Sequence, residues 1–218
     1  MRILNLISLI RNRPLFVFSY ARTYFLFTRT RILRFLFSGQ SIRFGKNLRL
    51  QRLSCVFAER PSANIDLGDH TVIYENARIA AFGQGRIQIG ECSIIGDVRI
   101  SSRHQISIGK RFLTSWNVLI QDFDPHPIDP IERGRQVEYM CANLRPGSSF
   151  PHTETSWSFP GTPILIGDDV WVGANATILK GARIGAGSIV ATGAVVLEGE
   201  YPPKSLIAGN PARIVSHR

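Results

Sequence analysis

Cysteine is scarce: Cys55, Cys92 and Cys141 are the only three in 218 residues. They are too few and too scattered for a disulfide framework or a thiolate metal site, which points to a reducing, cytoplasmic setting with each one a small buried hydrophobe. Long apolar runs are missing as well. The stretch Ile3 to Ile10 is closed by Arg11 and Arg13, far short of the roughly 20 residues that cross a bilayer. No small-residue cleavage site follows it, so a secretory leader is not expected. Acidic residues are absent from positions 1–58, which hold 11 Lys and Arg, while the rest of the chain carries 15 basic and 16 acidic residues. The net charge of +10 therefore belongs to the first quarter of the chain, and the remainder is near neutral.

That first quarter reads as a basic aromatic helical arm over residues 1–40. After Pro14 it is rich in Phe, Leu and Tyr, with Arg22, Arg29, Arg31 and Arg34 interleaved. Two roles fit: an apolar cap on the end of the domain that follows, or peripheral contact with the anionic inner face of a membrane. A nucleic-acid role is not expected, because no recognition module accompanies the charge.

What the chain does have is a period of six. It runs Ile166-Gly-Asp-Asp-Val-Trp, Val172-Gly-Ala-Asn-Ala-Thr, Ile178-Leu-Lys-Gly-Ala-Arg, Ile184-Gly-Ala-Gly-Ser-Ile and Val190-Ala-Thr-Gly-Ala-Val. An aliphatic residue opens every unit and a small or β-branched one holds the fifth place. A helical period would drift out of register within two units, and strict alternation would not keep the small second and fourth places. The pattern predicts an all-β solenoid of short strands and turns, three units to a triangular coil, with the first-place residues stacked inside. Earlier, rougher coils run through Leu67-Gly, Ile89-Gly and Ile108-Gly, so the solenoid domain spans 41–215.

The repeat breaks once, over the excursion 123–163, which is rich in Pro, Gly, Ser and charge. Interruptions of this length inside a compact domain tend to carry function. It opens with Asp122-Phe-Asp-Pro-His126-Pro-Ile-Asp129-Pro-Ile-Glu132-Arg. His126 leaves the solenoid between two prolines that restrict its backbone, and imidazole is a base suited to working pH. On position alone, a lone loop histidine is more often a surface residue than a catalytic one.

The sixes, the His126-Pro-Ile-Asp-Pro-Ile-Glu-Arg run and the ending Ile207-Ala-Gly-Asn-Pro-Ala-Arg213 resemble the hexapeptide-repeat acyltransferases, in particular the galactoside and maltose O-acetyltransferase branch and its polysaccharide-biosynthesis relatives. The resemblance implies a left-handed parallel β-helix, a homotrimer, and acetyl-CoA along the groove between subunits, with no metal. It places the catalytic base on His126 and its orienting carboxylate on Glu138. It also carries CoA contacts onto Trp171, Gly173, Ala174 and Thr192, with Lys204 and Arg213 toward the phosphates. The expected reaction is transfer of acetyl from acetyl-CoA to a sugar hydroxyl of a polysaccharide or its lipid-linked precursor.

The family's Thr-Lys-Asp before its Pro is here Leu197-Glu-Gly-Glu-Tyr, so an acid replaces a phosphate-facing lysine. The segment Met140 to Pro160 is longer than in small-sugar enzymes, and Phe150, His152, Trp157 and Phe159 either shape a sugar cleft or pack the loop. A small free sugar or nucleotide sugar as acceptor, and a non-catalytic scaffold, are the alternatives. A γ-type carbonic anhydrase would need histidines where this chain has Gln121 and Ile131.

Overall fold

A computed structural model describes residues 41–59, 61–143 and 157–217. The arm 1–40, and with it the choice between cap and membrane contact, lies outside these residues, as do Phe150 and His152.

Short parallel strands stack into three faces. The first begins with Ile42–Phe44, Asn64–Leu67 and Arg86–Ile89, the second with Arg49–Leu50, Val72–Ile73 and Ile94–Ile95, the third with Val56–Ala58, Arg78–Ala81 and Val98–Ser102. The chain visits the faces in turn, so each strand pairs in parallel with its equivalent one coil later. This is the parallel β-helix that the sixes predict, consistent with the left-handed coil of hexapeptide-repeat acetyltransferases. An antiparallel hairpin of Ser205–Gly209 with Ala212–His217 ends it on the second face.

Inward residues, one or two to most strands, build the core. Ile79, Ile100, Ile120, Ile178 and Val196 stack in register on the third face, each at most 1% exposed. Ile65, Ile87, Ile106 and Ile164 do the same on the first. Their burial is the main stabilising term of the coil, at about 1.5–3 kcal/mol for each fully buried aliphatic side chain.

The Ile-Gly pairs have an equally direct cause. A Cβ on Gly68 would lie 2.5 Å from the Glu91 nitrogen, on Gly90 2.5 Å from the Gly109 carbonyl carbon, and on Gly167 2.6 Å from the Ala186 nitrogen. Successive coils pass too close at this corner for any side chain. Two residues later the corner turns through the left-handed region, at His70, Cys92, Arg111 and Asp169, and at Lys204 in the last coil, all with φ between 53° and 62°. Cys92 is thus exposed, as is Cys141, and only Cys55 is buried; a turn position cannot bury its side chain.

Between Gln121, the end of the third-face strand Val118–Gln121, and the first-face strand Ile164–Ile166 lies the excursion. It is not structureless: Pro130–Asn143 is a 14-residue helix, α1. Asp129 caps it, its Oδ1 accepting from the backbone nitrogens of Ile131 (3.0 Å) and Glu132 (2.9 Å), with Pro130 at the first helical position where no N–H is needed.

Candidate active site

The two ends of the excursion are tied together at its base. Asp124 N–H donates to Pro160 O (2.9 Å) and Thr162 N–H to Asp122 O (3.0 Å), around an antiparallel bridge of Phe123 with Gly161. Asp122 is fully buried and accepts from Ser102 Oγ (2.6 Å) and from the backbone nitrogens of Arg103 (2.9 Å) and His104 (3.2 Å). Those charge-assisted bonds pin the exit strand to the coil beneath it. Gly161 is required for the fit, since a Cβ there would lie 2.2 Å from Asp122 O and 2.3 Å from His104 Cδ2. His104 in turn donates from Nε2 to Phe159 O (3.1 Å).

Arg103 seals the base. Its guanidinium lies 3.8 Å from the ring centroid of Phe159 and 5.4 Å from that of Phe123, and the two rings meet edge to face at 6.2 Å. Burial lowers its affinity for the proton, as desolvation does for any cation, and the ring faces compensate part of that cost. Asp124 is held by an ion pair with Lys180, which comes from the next coil. Phe159 therefore packs the loop against the coil.

This base sets the position of His126, two residues beyond Asp124. Arg133 on α1 reaches back and donates from Nη1 to the carbonyls of Pro127 (3.0 Å) and Ile128 (2.8 Å), fixing the turn after the histidine. The ring lies with Nδ1 2.8 Å from Gln136 Oε1. An amide oxygen facing the ring accepts from Nδ1–H, a tautomer that leaves the lone pair on Nε2. Gln136 is 3% exposed, so its side chain is held in place. The His126 side remains open to solvent.

Glu138 is not at the imidazole. Residues two apart on an α-helix point about 200° apart, so turning Gln136 inward turns Glu138 to solvent, where it is exposed. The expected carboxylate partner is replaced by an amide. It can fix the tautomer but brings no charge to balance an imidazolium. Asp129-Pro130, a helix-start signal in the sequence, was the available pointer: a helix from Pro130 turns Gln136 and Glu138 to opposite sides.

The residues expected along CoA divide. Trp171 faces outward on the second face, with Leu113 and Ile189 as register neighbours, and its Nε1 donates to Ser115 Oγ (3.4 Å). Gly173, Ala174 and Thr192 follow at the corner between the second and third faces, Gly173 beneath Thr192. Gly173 is small for coil packing: a Cβ would lie 2.7 Å from the Thr192 nitrogen. The open backbone is one residue further on, at Gly193, with φ +72° and nothing within 4 Å of a built Cβ. Lys204 sits instead at the corner between first and second faces, and Arg213 on the terminal strand, its Nη1 donating to Ala212 O (3.0 Å). His126 leaves from the third corner, between third and first faces. Among the described residues no group of three or more His, Cys, Asp or Glu side chains is placed to hold a metal ion, and no helix is long and apolar enough to cross a membrane.

Residues 163–198 match the family model described as bacterial transferase hexapeptide (six repeats). WbbJ of Escherichia coli (strain K12), which carries the name of a lipopolysaccharide biosynthesis O-acetyl transferase, is 29% identical over 176 residues, 79% of this chain and 80% of that protein. Among solved structures, the polysialic acid O-acetyltransferase OatWY superposes with a TM-score of 0.54 at 24% identity, covering 81% of this chain and 74% of that one. AntD from Bacillus cereus, an N-acyltransferase crystallised with dTDP and coenzyme A, superposes with a TM-score of 0.60 at 17% identity, covering 86% of this chain and 88% of that one. The repeat, the coil it builds and these likenesses agree: residues 163–198 carry the transferase hexapeptide repeat, and the chain is similar to hexapeptide-repeat transferases over most of its length.

Proposed function

We propose that this protein is an acetyl-CoA-dependent O-acetyltransferase that acetylates a sugar hydroxyl on a polysaccharide or its lipid-linked precursor, with His126 as general base. The observation that carries the reading is the exposed imidazole at the mouth of the excursion, its Nδ1 held 2.8 Å from Oε1 of the buried Gln136. The names borne by WbbJ and OatWY support the O-linked polysaccharide acceptor over a small sugar.

In this mechanism Nε2 of His126 takes the proton of the acceptor hydroxyl as its oxygen attacks the thioester carbonyl. The tetrahedral oxyanion is held by a backbone N–H and collapses by breaking the carbon–sulfur bond. The imidazolium then returns its proton to the departing CoA thiolate. Gln136 keeps the ring in the one tautomer that can perform both transfers. Holding both substrates beside one base supplies much of the remaining acceleration.

The corners of the coil bear on assembly. His126 stands at the third corner, whereas Trp171, Gly173, Ala174 and Thr192 line the second face and second corner. One chain presents the two parts on different sides, so the reading places acetyl-CoA in the groove between neighbouring copies of a homotrimer. The outward ladder of Ile94, Leu113, Trp171 and Ile189, with Ile94 43%, Leu113 40% and Trp171 46% exposed, offers an apolar strip for such packing.

Incubation with acetyl-CoA and bacterial surface glycans tests the proposal. CoA release that depends on the glycan, with a mass gain of one acetyl group on it, is expected; acetylation of an amine and of no hydroxyl would favour an N-acyl transfer instead.

A further inference from the structure

The second corner has a lower half that none of the foregoing uses. Along the outward column of the third face, Arg78, Arg99, Leu119, Thr177 and Val195 follow one another in register. Two residues before each lie Asn76, Asp97, Asn117, Asn175 and Gly193, which form the edge of the corner. The column is thus polar and charged in its early coils and small or apolar in its late ones, and the late part is where Gly173, Ala174 and Thr192 stand. A groove of about 350 Å³ runs over the early part, lined by Asn76, Arg78, Asp97, Arg99, Asn117 and Leu119.

Arg78 and Arg99 are direct register partners in a parallel ladder, where strands lie about 4.8 Å apart. Like charges in this arrangement repel. Among the described residues neither guanidinium has a carboxylate ion partner: the ion pairs of the other coil arginines are Arg43 with Asp66, Arg111 with Asp169 and Arg183 with Glu200. Those three outward arginines are each matched by an acid from the neighbouring coil, and Arg86, which lacks one among the described residues, stands in register with Asn64 and Gln105 rather than with a second arginine. Here two stand together, flanked by Asp97, a hydroxyl acceptor, and by the Asn76 and Asn117 amides. Asn117 is itself held, its Nδ2 donating to Asn175 Oδ1 (2.9 Å).

We infer that this groove is an anion-recognition subsite for the acceptor, in which Arg78 and Arg99 together bind a carboxylate or phosphate group of an acidic saccharide while Asp97, Asn76 and Asn117 bind its hydroxyls. The inference rests on the O-acetyltransferase reading and names its acceptor class. Guanidinium forks match planar carboxylates and phosphates, and the anion relieves the repulsion between the two arginines. Asp97 leaves the groove one positive charge in excess, so a neutral sugar gains less from it than an acidic one. The groove continues the corner on which the CoA contacts are expected.

The test is equilibrium binding by the full-length protein, measured by titration calorimetry without acetyl-CoA, so that it reads the subsite independently of catalysis. The probes are an oligogalacturonate, its methyl ester and an isoprenyl diphosphate-linked sugar. Binding of the oligogalacturonate at least tenfold tighter than its methyl ester, with that preference lost in R78Q/R99Q and kept in R78K/R99K, is the expected result for a carboxylate source; losing one charge-assisted contact is worth about that factor. The same loss confined to the diphosphate probe assigns the anion to a lipid-linked phosphate. Equal affinity for the ester and the acid together with diphosphate binding unchanged in R78Q/R99Q, or unchanged affinities for all probes in R78Q/R99Q with folding verified by circular dichroism, overturns the inference. Preserved binding without acetyl transfer to any glycan would count against the O-acetyltransferase reading and leave the subsite standing.

Discussion

Nδ1 of His126 lies 2.8 Å from Oε1 of Gln136, a side chain buried on the inner side of α1, while Glu138 on the same helix faces solvent. Helical geometry makes the two positions mutually exclusive as partners of the ring. Gln136→Ala is therefore expected to lower kcat about tenfold to a hundredfold with little change in KM for acetyl-CoA, whereas Glu138→Ala stays near wild type. Gln136→Glu keeps the hydrogen bond and adds a charge that favours the imidazolium, so it retains activity with the acidic limb of its pH–rate profile moved to higher pH. Loss of activity in Glu138→Ala with an unaffected Gln136→Ala would reverse the assignment.

The base of the excursion offers a second test. In Gly161→Ala the new methyl group meets Asp122 O and His104 within 2.3 Å, so the exit and return strands must separate. Hydrogen exchange should accelerate over 122–126 and 157–163, and kcat should fall roughly a hundredfold through displacement of His126. Unchanged exchange in those segments would show that the clamp tolerates the methyl group.

Much of this molecule was legible in its residues because the coil is one rule repeated. An aliphatic residue every six positions gives the inward ladder, and glycine after it marks where coils pass too closely for a Cβ. The excursion obeys no period, so its interior depended on local signals. Asp129-Pro130 is a helix-start signal set among Pro, Gly and charge typical of loops, and the family spacing that places a carboxylate beside His126 falls on Glu138. A helix through Pro130–Asn143 turns that residue away. The Arg103 stack with Phe123 and Phe159 joins residues far apart in sequence and left no local pattern to find.

Two glycines with opposite surroundings test the account of the coil. Gly90→Ala places a methyl group 2.5 Å from the Gly109 carbonyl carbon and is expected to destabilise the fold by about 1–3 kcal/mol, a fall in Tm of roughly 5 °C. Gly134 on α1 has nothing within 4 Å of a built Cβ, and Gly134→Ala should raise stability by about 0.5–1 kcal/mol through helix propensity. Calorimetric melting of both variants distinguishes packing from propensity. Equal shifts would contradict the close-approach explanation.

At the first corner the Arg111 guanidinium forks onto Asp169, with Nε–Oδ1 2.5 Å and Nη2–Oδ2 2.6 Å. That hydrogen bonding holds the Asp169 carboxyl below the usual aspartate range. A carboxyl so lowered contributes stability above its unfolded-state value, and the contribution is lost as pH falls through the lowered folded value. Carbon-13 titration should place the Asp169 midpoint below that of exposed aspartates, and Arg111→Ala should return it to the ordinary range. Because both side chains are about half exposed, the neutral-pH Tm should scarcely change.

The most direct measurement is the acetyl-transfer rate of His126→Ala beside wild type, with glycan acceptor and acetyl-CoA saturating and folding verified by melting. Removal of a general base predicts a fall in kcat of about 10²- to 10⁴-fold with Tm preserved. A variant that transfers acetyl at the wild-type rate would contradict the assignment of His126 as the base.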